Sequence, residues 1–414
     1  MPFNIGLSGL NAAQADLQTT GNNVSNSGTT GFKRSRAEFG DVFAQSFGGI
    51  SQTAIGSGTR LQAVTQQFSQ GRTEFTENGL DLAINGEGFF VLNDQGSTVY
   101  SRAGAFQVDR DGYLVNNQGL RLRGYDEAGG TNLGDLRLQT DTAAPQATSN
   151  LEALINLRSD AATLSDDPDD FVLDDPETYN FSTSLTMYDS LGIARDANLY
   201  FVKTAQNEWN AHVAVRRDDG NLEELANYGG GDSGPLGLEF DVNGQLVGVD
   251  PPAEGLTVPG GSLDGADDLV FDINFDGTTQ FGGDFSVNDL NQDGFASGQL
   301  TGIDIDQTGV VFARFTNGQS SVLGQLALAN FPNPQGLEQL GDNNWAETFA
   351  AGDVRLDRPG SSNLGSVQAG ALEASNVDIA QELVNLITAQ RNFQANAQTI
   401  STADQVTQTI INIR

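Results

Sequence analysis

The two ends of the chain carry one pattern and the interior another, and this contrast limits the fold more than any other feature. Near the start, Phe3, Gly6, Leu10, Ala13, Leu17, Thr20 and Val24 recur at alternating spacings of three and four. That alternation lines them along one narrow stripe of a helix, close to coiled-coil period. Near the end, Ile379, Leu383, Leu386, Gln390, Phe393, Ala397 and Ile400 repeat it, and Ala403, Val406, Ile410 and Ile413 continue with the register shifted by one residue. Ser375, three residues before Asp378, reads as a capping box that starts the second helix. From there to Ile410 the chain has no Pro or Gly. At ~1.5 Å per residue this helix is roughly 50 Å long, more than a shorter partner from the same chain can cover.

Between the ends, short alternating or apolar runs are broken by Asn78-Gly79, Asn85-Gly86, Asp111-Gly112, Asn243-Gly244, Asp276-Gly277 and Asn317-Gly318. Such dipeptides favour positive φ and mark hairpin turns; Gln107–Asp109 and Tyr113–Val115 form one expected hairpin. The chain therefore reads as mainly β with α-helical termini, its β domains nested and discontinuous between N- and C-terminal helices able to form coiled coils. Seams in composition give the expected boundaries: a terminal helical domain of 1–24 plus 372–414, a connector of 25–70 plus 361–371, an inner β domain of 71–145 plus 285–360, and an outer β domain of 146–284. The outer block contains the acidic run Asp166, Asp167, Asp169, Asp170, Asp174, Asp175 and Glu177 and the loop-like Gly229–Gly234, and is expected to be the most solvated.

Composition excludes several functions. The 414 residues include no Cys, so thiolate metal sites, disulfides and a Cys nucleophile are impossible. With 54 acidic and 20 basic side chains the net charge is −34, which opposes binding to nucleic acid. No run approaches the roughly 18 apolar residues of a membrane span, and Met1–Gly9 lacks the features of a cleaved secretory signal.

Candidate chemistry is sparse. A nucleophilic triad needs a His-like base, and the sole histidine, His212, lies in a strand-like run where it reads as an ordinary surface or sheet residue. Asp289-Leu290-Asn291-Gln292-Asp293-Gly294 copies the first half of a calcium loop, but the twelfth position is Leu300 rather than the required Glu, so a hairpin turn is expected. No catalytic residue, cofactor or metal is expected. What remains is the pair of terminal stripes, read either as an assembly module or as an intramolecular hairpin. Small residues such as Gly6, Ala12, Ala13 and Ala397 allow close approach but bury little area, which favours the module.

Several stretches together resemble the bacterial flagellar axial family of rod and hook proteins. They are Leu7–Gln14, Gly21–Asn26 and Thr30–Lys33 at the start, Asp81–Phe90, Tyr100–Phe106 and Gly112–Val115 in the β region, and Leu372–Asp378 with Gln390–Ala397 at the end. Arg36–Phe39, Gly56–Arg60, Leu326–Phe331 and Asn344–Thr348 extend the resemblance toward the hook branch. A distal rod-type member is the alternative, expected to be shorter and without the 146–284 block; a secreted β-rich enzyme or carbohydrate- or calcium-binding module is a remote one. The resemblance implies a structural subunit, not an enzyme. It would polymerise with itself into a curved flexible tube that acts as a universal joint in cell motility. Implied partners are a rod protein at the proximal end, a cap during assembly, a junction protein at the distal end and the flagellar type III export apparatus. The implied location is the extracellular part of the flagellum, reached without a cleaved signal peptide. The expected buried seam is Leu10, Ala13, Leu17 and Val24 with Ile379, Leu383, Leu386, Phe393, Ala397 and Ile400. Asn22, Asn23 and Asn26 either make polar contacts between subunits or end the first helix.

Overall fold

Helix α1 spans Pro2–Ser25 and α2 spans Ile379–Asn412, and among the described residues every regular element of four or more residues between them is a strand. The computed structural model describes residues 2–42, 56–126, 129–138, 142–164, 170–225, 235–361 and 363–412. Ile413, Asp166, Asp167, Asp169 and Gly229–Gly234 lie outside the described residues. The start of α2 differs from the expected capping box. Asp378 is the cap, its Oδ1 accepting from the backbone of Ala380 at 2.9 Å and Gln381 at 3.3 Å, while Ser375 Oγ accepts only from Val377 N, outside the helix. A carboxylate directly before the first turn satisfies orphan N–H groups and complements the helix dipole.

The chain divides into two compact units, Met1–Thr140 with Thr301–Arg314 and Ser320–Arg414, and Asp141–Leu300 with Phe315–Gln319. In the first, Ser35–Asp41 and Thr59–Gln66 form a two-stranded ribbon, and a separate sheet links thirteen strands among the described residues. Phe89–Asp94 pairs there with Ser97–Ser101 and Arg121–Tyr125. Its side chains alternate: Phe90 and Leu92 enter one buried cluster with Leu82, Ile84 and Leu122, whereas Phe89 and Val91 enter another with Tyr100, Phe331 and Trp345. A strand covered on both faces reads as a continuous apolar run, as here.

The second unit is a sandwich. Asn150–Arg158 lies between strands of one sheet, parallel to Leu269–Asn274 and Thr279–Phe281 and antiparallel to Ser286–Gln292. The other sheet runs Phe181–Tyr188, Ala194–Ala205, Glu208–Arg216, Leu236–Phe240 and Leu246–Asp250. Leu151, Ala153, Ile155 and Leu157 of the first meet Leu199, Phe201, Trp209, Ala211 and Val213 of the second in one core, a period of two along each strand. The seam expected after residue 284 falls inside this unit, because Ser286–Gln292 completes its sheet. That pairing also corrects the expected turn at Asp289–Gly294: Asp289–Gln292 is strand.

Hairpins form at Asp111-Gly112, Asn243-Gly244 and Asn317-Gly318. At the first, Gly112 has φ +84°, and Asp109 Oδ1 accepts from the backbone of Asp111 and Tyr113. The strands beside Asn85-Gly86 and Asp276-Gly277 pair elsewhere. Leu82–Asn85 joins Ser366–Ala369, and the strands flanking Asp276-Gly277 both lie parallel to Asn150–Arg158.

Candidate self-association site

The two terminal helices pack antiparallel. A methyl group built on Gly6 would lie 2.8 Å from Ile400 Cγ1 and one on Gly9 2.4 Å from Asn396 Oδ1, while at the other end Asn23 Nδ2 donates to Glu382 Oε2 at 3.3 Å. Two glycines on one face allow this approach, since neither carries the Cβ that the opposite side chains would meet. Ala13 on α1 and Ala389 on α2 are buried, and Leu10, Leu17, Val24, Leu386, Phe393, Ala397 and Ile400 are half-buried. Ile379, Leu383 and Gln390 face solvent. The sequence stripe follows the most apolar line of α2, whereas the buried positions run through Glu382 and Ala389, one residue away. Glu382 is buried and is held there by polar partners.

Those partners are Asn23, Arg34 Nη1 at 3.5 Å and Asn385 Nδ2 at 3.4 Å. Asp16 shares with Glu382 a polar cavity of about 260 Å³ that Thr20, Asn23 and Arg34 also line. Burial, and then the charge of Glu382, hold the Asp16 carboxyl above the ordinary carboxylate range. Asn23 is buried and used within the chain: Nδ2 donates to Ser35 O at 2.8 Å and Oδ1 accepts from Ser35 N at 2.9 Å. Its amide thus fastens α1 to the ribbon and is not free for a neighbouring subunit. Asn26 Nδ2 donates to both Asn22 O and Asn22 Oδ1 at 3.0 Å, closing the end of the helix.

Beyond the helices lies a joint that sequence reasoning missed. Glu373 is fully buried and accepts from Lys33 Nζ at 2.6 Å, Gly71 N at 2.8 Å and Arg102 Nη1 at 3.1 Å. Lys33 also donates to Ser69 O, and Arg102 to Gly86 O. Burial depresses Lys33 below the ordinary lysine value; Glu373 opposes this and Arg102 adds to it. The cluster bolts together segments 340 and 271 residues apart in sequence, so no local motif could reveal it.

The other candidate residues are held by partners within the fold. His212 is buried, stacked on Phe171 with ring centroids 3.9 Å apart, and its Nδ1 lies 2.6 Å from Glu224 Oε1. Asp293 accepts from the backbone and side chains of Ser149 and Asn150. Burial raises its carboxyl, but these bonds outweigh that and hold it at about 2. Among the described residues no group of three or more His, Cys, Asp or Glu could hold a metal ion, and no helix is long and apolar enough to cross a membrane.

The chain is 39% identical to the flagellar hook protein FlgE of Salmonella typhimurium over 423 aligned residues, covering 100% of both chains. The chain belongs to the flagellar hook protein family. A more distant member, the flagellar hook protein FlgE of Borreliella burgdorferi, is 31% identical over 99% of this chain and 98% of its own. Four family descriptions match in order along the chain: flagella basal body rod protein over 3–33, flagellar hook protein FlgE/F/G D1 domain over 83–164, flagellar basal body protein FlaE D2 domain over 156–295, and flagellar basal body rod FlgEFG protein C-terminal over 368–413. The crystal structure of Helicobacter pylori flagellar hook protein FlgE2 shares the fold, with a TM-score of 0.54 at 15% identity, over 73% of this chain and 100% of that one. Membership places the chain among structural proteins of the flagellum.

Proposed function

We propose that this chain is the subunit that polymerises with itself into the flagellar hook, the curved tube that couples rod to filament as a universal joint. The observation that carries the reading is the similarity to hook proteins over the whole length, terminal helices and both β units included. The helices supply the means. α2 is ten residues longer than α1 and leaves apolar side chains exposed, as a subunit that bundles with copies of itself requires. In this reading the terminal helices form the tube's inner core, the segments after α1 and before Glu373 form a connector, and the two β units form layers around it. The chain acts mechanically and not as an enzyme. Its proximal neighbour is a rod protein, its distal neighbours are the cap during assembly and then the hook–filament junction protein, and it leaves the cell through the flagellar type III apparatus.

The test is deletion of residues 2–25 or 376–414. Both truncations should lose tube formation in negative-stain microscopy while the second unit keeps its unfolding transition; tubes formed by either truncation would overturn the role given to the helices. Cells lacking the protein should carry rods without hooks, and cells without complete rods would instead favour a rod-type subunit.

A further inference from the structure

The solvent face of α2 is apolar at both ends and polar between them. Near its start Ile379, Leu383, Val384 and Ile387 are 47 to 57% exposed, and near its end Val406, Ile410 and Ile411 are 54 to 66% exposed. Between these, the exposed positions include Arg391, Asn392, Gln394, Gln398 and Thr402. Leu383 and Ile410 stand about 40 Å apart along the axis at ~1.5 Å per residue, so the two patches cannot cover each other within one chain. Because Gly6 lies against Ile400, the last residues of α2 also run past the start of α1, with nothing of α1 beside them.

Two copies aligned side by side along α2 would bury the polar middle, including the cation of Arg391. A stagger that lays the end of one α2 on the start of the next buries both apolar patches and leaves the middle in water. Charge also selects this surface. Along Ile379–Asn412 the charged side chains are Glu382, which is buried, Arg391 and Asp404, so near-neutral surfaces meet although each chain carries a net charge of −34. Ile379 also borders an open cleft of about 590 Å³, lined by Arg72, Glu74 and Asp378, with room beside the start patch for an incoming helix end.

We propose that the end patch of α2, Val406, Ile410 and Ile411, docks on the start patch, Ile379, Leu383, Val384 and Ile387, of a second copy of the chain. The proposal rests on the hook-subunit reading and specifies its contact. The two surfaces differ, so the contact is heterologous and extends into an open chain of subunits instead of closing into a dimer.

The chain has no Cys, which makes cross-linking a clean test. Full-length Leu383→Cys and Ile410→Cys are exposed changes, studied singly and combined in one chain. After assembly and mild oxidation, the combined variant should give a ladder of dimers, trimers and longer species, and each single variant should stay monomeric. A ladder or strong dimer from one single variant would mean a two-fold contact and overturn the proposal. Tubes visible by microscopy without a ladder would overturn it too while leaving the hook reading intact, whereas failure of the unaltered chain to form tubes alone or on hook–basal-body seeds would sink that reading and the proposal with it. A second set guards against loss of assembly in the Cys variants. Leu383→Glu and Ile410→Lys should each raise the critical concentration about tenfold and together restore it to within about threefold, since opposite charges then face each other. Gln398→Glu should change it less than about twofold; an equal loss there, or no restoration in the pair, refutes the end-to-end stagger.

Discussion

Replacing Glu373 by Gln should destabilise the first unit more than any other isosteric change, and the structure sets the size of the effect. The Glu373 and Lys33 side chains are each 1% exposed and Arg102 is 5% exposed, so bulk water screens little. Gln keeps one carbonyl oxygen for Lys33 and Gly71 but turns an N–H₂ toward Arg102, and it removes the only negative charge among the three. Removing one member of a buried ion pair costs about 3–5 kcal/mol, mostly as uncompensated charge. With a urea dependence of about 2–3 kcal/mol/M, the midpoint should fall by roughly 1–2.5 M. The chain has two Trp, Trp345 buried in the first unit and Trp209 in the second, so Trp209→Phe and Trp345→Phe backgrounds report each unit separately by fluorescence. Only the Trp345 transition should move. Lys33→Met added to Glu373→Gln should recover part of the loss, because it removes a stranded cation. The pH dependence has a fixed sign. A lysine whose folded value lies below its ordinary 10.5 binds fewer protons folded than unfolded, so stability rises as pH rises through the folded value toward 10.5. Removing Glu373 should widen that window. A midpoint shift under about 0.3 M, or a double variant whose losses simply add, would refute the electrostatic account.

Asp293→Asn should flatten the acid limb of the second unit. The wild-type carboxylate, held at about 2 against an ordinary 3.8, contributes stability that is present above about pH 4 and lost as pH falls through 2; partial exposure limits this to about 1 kcal/mol, and an unchanged limb in a Trp209-monitored acid titration would refute it. Tube assembly should strengthen with salt, because residues 141–300 hold 30 of the 54 acidic and 5 of the 20 basic side chains and the screening length falls from about 10 Å at 0.1 M to about 3 Å at 1 M; sedimentation showing a critical concentration independent of salt would count against it. Lys33 and Lys203, the only two lysines, are both buried, so amine-reactive labelling followed by mass spectrometry should find Lys33 modified only as the first unit unfolds and Lys203 only as the second does; prompt labelling of either in the native chain would contradict the burial.

What was legible in the sequence is what short-range physics sets. The alternation of three and four along Gly6–Val24 and Leu383–Ile400 required helices, and α1 and α2 are there. Asp111-Gly112 announced both a positive φ and a hairpin, and both are present. Asp276-Gly277 announced the same and delivered only the φ of +84°, because its flanking strands find their partner more than 100 residues earlier, at Asn150–Arg158. Long-range pairing likewise made strand of the expected turn at Asp289 and drew residues 286–292 into the second unit. Within the helices the stripe was legible but its exact face was not. Nothing local marks Glu382 as buried; the return of the chain brings Asn23 and Arg34 to it.

The allocation of cations ties the joint to the assembly surface. In a chain this short of positive charge, two lysines and Arg102 and Arg195 are buried, where they hold backbone carbonyls and carboxylates: Lys203 Nζ on Ser159 O and Ala161 O, Arg102 on Glu373 and Gly86 O, Arg195 Nε on Asp189. Cations placed inside are not available to neutralise the acidic exterior, so contact between copies across the β surfaces meets like charge on like charge. The terminal helices escape this because α2 carries so few charges over 34 residues. In the proposed tube, this one distribution of charge favours tight helix-to-helix contact and loosely held β surfaces. A tube that keeps its core while its outer parts slide needs that combination. Moving a cation from the interior to the surface of the second unit should stiffen the polymer at low salt and leave its assembly core unchanged.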